Sequence, residues 1–412
     1  MDIQVSVDVS ALHGATQGRY SIHIVKSLDT FRMFRLEWEQ LESASEIHSF
    51  CLTYRYCELA AERSLAAGEL VVVAKVYDDA RLLAIWPFAV KRTGMLRVAN
   101  VLTCGNHEEY GGPLFRGIPT MSVAAECVRA VMRIPADVFE IPFLQEGSVL
   151  QEALESVPQS WVLRLLPRRL RSFPGYSVTL RDFVQWDQYS RTRSQSLRRN
   201  LRRYRKGLDS IGHTEFGWCT TLEDAVAVLN WLFENKRRWA LARGLNTKYL
   251  MDDKVRDFFI ALAAQTDLSS VPLVAFVKVN GVPICASINL VGPSTLEYWI
   301  FTYDEAYNRY SVGNQLTEFV AHWAHANGRD FDMRLMYNEY KTYWVNRETR
   351  HQTRVVVLGW RGRLREIPLL IFQFTRVRRR LARELVAVFA SARTRLPRYL
   401  SPAGFRKTSN DT

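Results

Sequence analysis

Residues 273–290 read LVAFVKVNGVPICASINL, and residues 69–88 read ELVVVAKVYDDARLLAIWPF. Each is an apolar run that ends on a Lys-Val pair, Lys278-Val279 or Lys75-Val76. Each then turns at two polar residues and resumes as a second apolar run. The turn pairs are Asn280-Gly281 and Asp78-Asp79; Asn-Gly is a strong hairpin signal because both residues tolerate positive φ. The echo continues downstream. AAECVRAVMR (124–133) has helical spacing and leads to the strand-like VFEIPF (138–143). NQLTEFVAHWAHANG (314–328) leads in the same way to DFDMRL (330–335), so that Phe139-Glu140 matches Phe331-Asp332. Two strands, a helix and a strand, repeated about 200 residues apart, predict two similar domains. The alternative is coincidence between two common hairpin types.

A length of 412 residues suits two domains of ordinary size, and 48% hydrophobic residues suffice for packed cores. No apolar run reaches the ~18 residues of a membrane-spanning helix. The start, MDIQVSVDVSALHG, does not read as a secretory signal. The cysteines 51, 57, 104, 127, 219 and 285 have no paired spacing and read as reduced, buried thiols of a cytoplasmic protein. Charge is uneven. Residues 191–206 carry eight Arg/Lys and no acid; residues 361–407 carry thirteen against two acids. These segments supply +8 and +11 of a net +13, which leaves −6 for the rest. A mildly acidic body with two basic elements favours anionic partners.

The pattern divides the chain into a weakly structured lead (1–27), a first domain (28–180), a second domain (181–360) and a basic tail (361–412). Phe34, Trp38 and Leu41 give 28–66 helical spacing. Residues 159–180, with Phe173-Pro174-Gly175, read as a connection between the halves. The second half opens with SQSLRRNLRRYRKGL (194–208), where Leu197, Leu201, Tyr204 and Leu208 share one face. A helical segment follows over 222–244 with Gly244 as its stop, then another over 252–265. After the hairpin come the strand LEYWIFTYD (296–304), the loop 305–313, a helix from Asn314, the strand 330–335, the short aromatic helix 338–346 and a last strand, 353–360. Within the tail, 377–400 reads as a basic amphipathic helix.

This order resembles the GNAT acyltransferase fold. At residue level it resembles the CelD-like branch, named for cellulose or exopolysaccharide biosynthesis. The matching residues are Ser194, Arg198, Asn200, Arg202 and Arg203, the hairpin, Tyr303-Asp304 with Tyr307, Gly313 opening a helix, and Asp332 followed by Tyr340-Lys341 and Trp344. That branch is similar to the Fem-type peptidyltransferases, and both resemble tandem GNAT proteins. The resemblance implies two mixed, mainly antiparallel α/β (α+β) domains flanked by helices. One departure stands out: relatives often carry a segment like R-G-D-E before Tyr-Lys, where this chain has Leu335-Met336-Tyr337-Asn338. That departure implies a different substrate or reduced activity.

Transfer of an acyl group from coenzyme A to an amine or hydroxyl needs three things. The pyrophosphate needs a helix N-terminus with free amides, and Arg309, Ser311, Val312, Gly313 and Asn314 lie where such a loop belongs. The usual loop has a second glycine that is missing here, so a plain strand-to-helix turn is an equal reading. The thioester carbonyl needs a backbone N–H of a splayed strand, which the resemblance places at Trp299, Ile300 and Phe301. Protons need a base and an acid. Asp304 and Asp332 are the candidate bases, and Tyr340 and Tyr343 the candidate acids. By resemblance, Lys341 would support developing negative charge or an anionic substrate. Arg198, Arg199, Arg202 and Arg203 are candidates for anion binding, against the reading of a solvated face. His322 and His325 lack a third ligand, so no metal is expected. His107, Glu108 and Glu109 fall in a Gly-rich loop that could border an interdomain cleft.

The leading expectation is a transferase using acetyl-CoA or another acyl-CoA. The first domain is degenerate or borders the acceptor. The acceptor is an anionic glycan, lipid-linked or cell-envelope precursor, and the basic tail holds the enzyme peripherally on the anionic inner membrane face. Two alternatives remain: an aminoacyl-tRNA-dependent Fem-like transferase, or a non-catalytic scaffold of a polysaccharide synthase.

Overall fold

The computed structural model describes residues 20–45, 49–105, 109–165, 171–245, 248–367 and 371. Residues up to Gly362 form one compact unit and those from Arg363 another. The amphipathic helix expected over 377–400 lies outside the described residues.

The strands are β1 (Tyr20–Val25), β2 (Leu70–Asp78), β3 (Arg81–Thr93), β4 (Leu96–Val101), β5 (Leu114–Phe115), β6 (Val138–Gln145), β7 (Ser172–Val178), β8 (Thr214–Trp218), β9 (Val274–Val279), β10 (Val282–Val291), β11 (Thr295–Tyr303), β12 (Asp330–Leu335) and β13 (Arg347–Val357). They form one sheet in the order β1-β2-β3-β4-β6-β13-β7-β12-β11-β10-β9-β8, with β5 paired to β3. The order reads alike from both ends once β1–β4 are matched to β8–β11, β6 to β12, and β13 to β7. The duplication expected from the hairpins is therefore present in space, with an exchange at its centre. The last strand of each half leaves its own half. β7 pairs with β12, and β13 pairs with β6. The exchange covers two edges that would otherwise expose unpaired backbone groups.

The hairpins close on two-residue turns. Asn280 and Gly281 have φ of 51° and 80°, and Asp79 has φ of 52°. Pairing of Asp78 with Arg81 puts the first turn at Asp79-Ala80, one residue later than the sequence suggests. Two other expectations change. Residues 20–25 of the presumed lead form an edge strand on β2. Phe173-Pro174-Gly175 lies inside central β7, paired with β12 and β13, rather than in a connecting turn. Gly175 is needed there because a Cβ would sit 2.6 Å from Thr349 Oγ1 and 2.8 Å from His351 Nε2.

The helical segments follow the apolar spacing and begin at side-chain caps. Ser194 caps Gln195–Asp209, Thr221 caps Leu222–Ala242 and Thr120 caps Met121–Val131. One face of the sheet carries a core shared by both halves, where Tyr56 meets Phe258 edge-on at 4.9 Å. The opposite face carries two separate cores, one per half. All six cysteines are buried free thiols.

Candidate functional site

β11 and β12 run parallel and pair only at Thr295–Glu297 with Asp330–Asp332. Beyond those residues they separate. Two irregularities shape the separation. Opposite β10, Tyr298 and Ile300 pair with Asn289 and Ile288, which leaves Trp299 as an extra bulged residue. In β12, Arg334 has φ of 64°, and Met336 just beyond it has φ of 71°. The gap is a cleft of about 610 Å³. Its walls are residues 298–303, 333–341 and the start of the helix Val312–Ala326, with Lys236 and Trp239 across from them.

That helix start is chemically open. Ser311 takes a left-handed conformation (φ 50°), and its hydroxyl caps no backbone amide. The hydroxyl instead accepts from Asn314 Nδ2 at 3.0 Å. Among the described residues, no group accepts from the backbone N–H of Val312, Gly313 or Asn314. Asn314 is held in place by Trp344 Nε1, which donates to its Oδ1 at 2.9 Å. Gly313 has a second reason to be glycine: a Cβ would lie 2.6 Å from Phe301 Cζ. The packing of Phe301 over the helix start thus disfavours a side chain there, whatever the cleft holds.

Tyr340 lines the cleft with its ring 5.7 Å from Phe301. Burial pushes its hydroxyl up, so it stays protonated near neutral pH. Tyr343 also lines the cleft and donates to Glu339 Oε1 at 2.7 Å, a bond that raises its own pKa. Lys341 is buried, and its ammonium donates to the carbonyls of Leu335 (2.6 Å), Met336 (3.1 Å) and Arg334 (3.4 Å). It braces the turn that opens β12, and its donors point at backbone rather than at free space.

Other candidates fall elsewhere. Asp304 accepts from Ala306 N at 3.0 Å and caps the 3₁₀ helix Glu305–Tyr310. Asp332 accepts from Tyr110 Oη at 2.7 Å and from Arg334 N at 2.6 Å. Arg309 stacks on Tyr310, 4.7 Å from its centroid. None of the three lines the cleft. Arg198, Arg199, Arg202 and Arg203 sit on their own helix, also away from it. His325 contacts Phe183 O, and His322 packs edge-on against Trp186. Among the described residues no cluster of three or more His, Cys, Asp or Glu could hold a metal ion.

Three cleft residues carry no signal in the sequence. Lys236, from the helix Leu222–Ala242, donates to Phe301 O at 3.0 Å, on the splayed strand itself. Glu339 contributes the carboxylate that Tyr343 binds. Arg334 forms a buried ion pair with Glu297. Glu297 also accepts from Ser49 Oγ (2.7 Å) and Phe50 N (3.1 Å) of the first half. Burial opposes the charge on Arg334, but Glu297, Tyr110, Cys51 and Asp332 together outweigh it and raise the guanidinium pKa.

The first half repeats the split. β4 and β6 pair only at Val98–Asn100 with Val138–Glu140. The following loop then closes the gap. Gly111 N donates to Pro142 O at 3.0 Å, and Trp86 Nε1 donates to Gly111 O at 3.1 Å. Glu109 is buried there and accepts from Tyr56 Oη (2.7 Å) and Cys104 N (3.2 Å). His107 and Glu108 lie outside the described residues. The helix Met121–Val131 has its amide at Val123 capped by Thr120.

Residues 195–342 match the family model described as an acetyltransferase (GNAT) domain. That span contains β8–β12, the splay, the open helix start and Tyr340-Lys341. The mirrored strand order makes the first half its topological copy, so the fold is two tandem GNAT-like halves in one mixed, mainly antiparallel sheet flanked by helices.

Solved structures similar to the chain include FemX, at 10% identity and TM-score 0.45, covering 81% of this chain and 98% of that one. L-PGS from Bacillus licheniformis matches at 10% identity and TM-score 0.46, covering 82% and 96%. A tandem GNAT protein from the clavulanic acid biosynthesis pathway matches at 9% and 0.41, covering 82% and 99%. No curated protein matches the sequence.

Proposed function

We propose that the second half transfers an acyl group from a coenzyme A thioester to an amine or hydroxyl. The observation that carries this reading is the junction of the β11/β12 split with three uncommitted amides at Val312–Asn314. Free amides and the helix dipole suit a pyrophosphate. The bulged strand around Trp299–Phe301 suits polarisation of the thioester carbonyl. The acceptor nitrogen or oxygen attacks that carbonyl carbon, and the carbon–sulfur bond breaks. Tyr340, protonated and in the cleft, gives its proton to the leaving sulfur. Glu339 takes the acceptor's proton, since Asp304 and Asp332 are engaged outside the cleft. Lys341 positions the β12 turn.

The acceptor in this reading is an anionic glycan or lipid-linked envelope precursor. The CelD-like resemblance and the exposed Arg199, Arg202 and Arg203 support it, with the tail 361–412 holding the protein to an anionic membrane. The same arginines would serve an aminoacyl-tRNA donor, whose binding would weaken steeply with salt.

The test is calorimetry with acetyl-CoA on the full chain and on Ser311→Asp. Aspartate tolerates the left-handed conformation and suits a helix start, so the variant folds while repelling phosphate. Binding by the parent and a loss of about tenfold or more in the variant is expected, the scale of a strong charge-assisted bond. No binding by the parent to any acyl-CoA refutes the reading.

A further inference from the structure

The helix Gln195–Asp209 lies beside the helix Val312–Ala326, and a second groove of about 600 Å³ runs between them. Arg202, Arg205 and Lys206 come from the first helix; Gln315, Glu318 and Phe319 come from the second. Trp186 and Phe216 complete the aromatic lining. Among the described residues, none lines both this groove and the cleft.

Gln315 is only 4% exposed. Its Nε2 donates to Tyr310 O at 2.8 Å, and a carbonyl can only accept, so the orientation of the amide is settled. Its Oε1 is buried and has no donor among the described residues. Buried polar atoms of this kind are rare and call for a partner. Glu318 adds a second acceptor nearby, half-buried and facing Arg202 and Arg205. Arg205 is held in place by stacking on Phe216, 3.7 Å from the ring centroid.

These features ask for one ligand with three properties. It must be flat and aromatic, to lie among Trp186, Phe216 and Phe319. It must carry N–H donors, to meet Gln315 Oε1 and Glu318. It must carry a strong anion, to meet three cations on one helix face. A bare phosphate would leave the Gln315 acceptor unmet, and an apolar ligand would add nothing to the cations beyond Glu318 and Asp209. We propose that this groove binds a nucleotide, base inward and phosphates toward Arg202, Arg205 and Lys206, independently of the acyl-donor cleft. The volume fits the usual range for a small-molecule site.

The test is calorimetry on the full chain with ADP, with inorganic pyrophosphate, and with ADP on protein saturated with coenzyme A. We expect one ADP site, pyrophosphate weaker by about tenfold or more, and ADP binding that persists under saturating coenzyme A. The double variant Arg202→Ala, Arg205→Ala should weaken ADP by about tenfold or more at an unchanged melting temperature, because both side chains are exposed. If loss of the Phe216 stack lowers the melting temperature, Lys206→Glu serves as the second variant with the same expected weakening. Pyrophosphate binding as tightly as ADP overturns the proposal, since the groove is then a phosphate patch. Displacement of ADP by coenzyme A overturns it too, since the groove then holds the donor's own nucleotide end. Absence of ADP binding also overturns it.

Discussion

The split between β4 and β6 and the split between β11 and β12 begin alike, with three parallel pairs each. They end differently. In the first half, Gly111 packs its backbone against Pro142, and Thr120 caps the following helix. In the second, the strands stay apart, and Ser311 leaves three amides without partners among the described residues. The same topology is thus used once as filled structure and once as an open site. Only a few residues separate the two outcomes: a glycine that lets a loop into the gap, and a cap that satisfies the helix start.

The comparison breaks most severely beside the contact that joins the halves, where Glu297 accepts from Ser49 and Phe50 and pairs with Arg334 of its own half. Arg334→Met leaves Glu297 buried without its countercharge, which should lower stability by about 3–5 kcal/mol in denaturant unfolding. The paired change Arg334→Met, Glu297→Leu should recover much of that loss. If the single variant unfolds like the parent, the ion pair does not brace the Glu297 contact with the first half.

Glu109, in the loop that closes the first split, is held neutral by burial, which raises its carboxyl from 4.5 to about 7 despite the bonds from Tyr56 and Cys104. The folded chain therefore binds more protons than the unfolded chain between those values. The contribution of Glu109 to stability is greatest below about pH 4.5 and falls as pH rises to about 7, by on the order of 3 kcal/mol. Glu109→Gln should flatten that slope in unfolding measured across the pH series; a retained slope assigns it to another group.

Gly111→Ala and Gly313→Ala separate filling from opening. A Cβ at residue 111 meets Pro142 O at 2.5 Å, a backbone atom that cannot swing away. That variant should lose about 1–3 kcal/mol. At residue 313 the obstacle is the tip of the Phe301 ring, which can turn toward the cleft. Its melting temperature should fall less, while acyl-CoA affinity falls more. Equal stability losses would contradict the contrast.

The smallest effect compares the helix starts. Thr120→Ala should cost about 1 kcal/mol through the lost cap. Ser311→Gly should cost less, because Ser311 caps no amide, gives up only its bond from Asn314 Nδ2 and occupies a conformation that glycine prefers. Thermal unfolding of both variants decides.

Local features were legible in the amino-acid order. Asn280-Gly281 turns because both residues accept positive φ, and the helices follow apolar spacing and capping side chains. Residues 311–314, 299–301, 340, 341 and 343 share the cleft, and each belongs to a short segment with its own pattern. Asp304 and Asp332 show the limit. Either sequence neighbourhood suits a base, yet one caps a 3₁₀ helix and the other answers Tyr110, 222 residues away. Lys236 and Arg334 went unread for the converse reason: nothing in their own segments records the strand or carboxylate they meet.

The sequence by itself determined the hairpins, most of the helices and the repeat, because turn chemistry and periodicity act over a few residues. Only the tertiary structure decided the exchange of β7 and β13, the filling of one split and the opening of the other. Those depend on which backbone and charged groups remain unsatisfied when segments more than a hundred residues apart come together, as Ser177 and Arg347 do across the centre of the sheet.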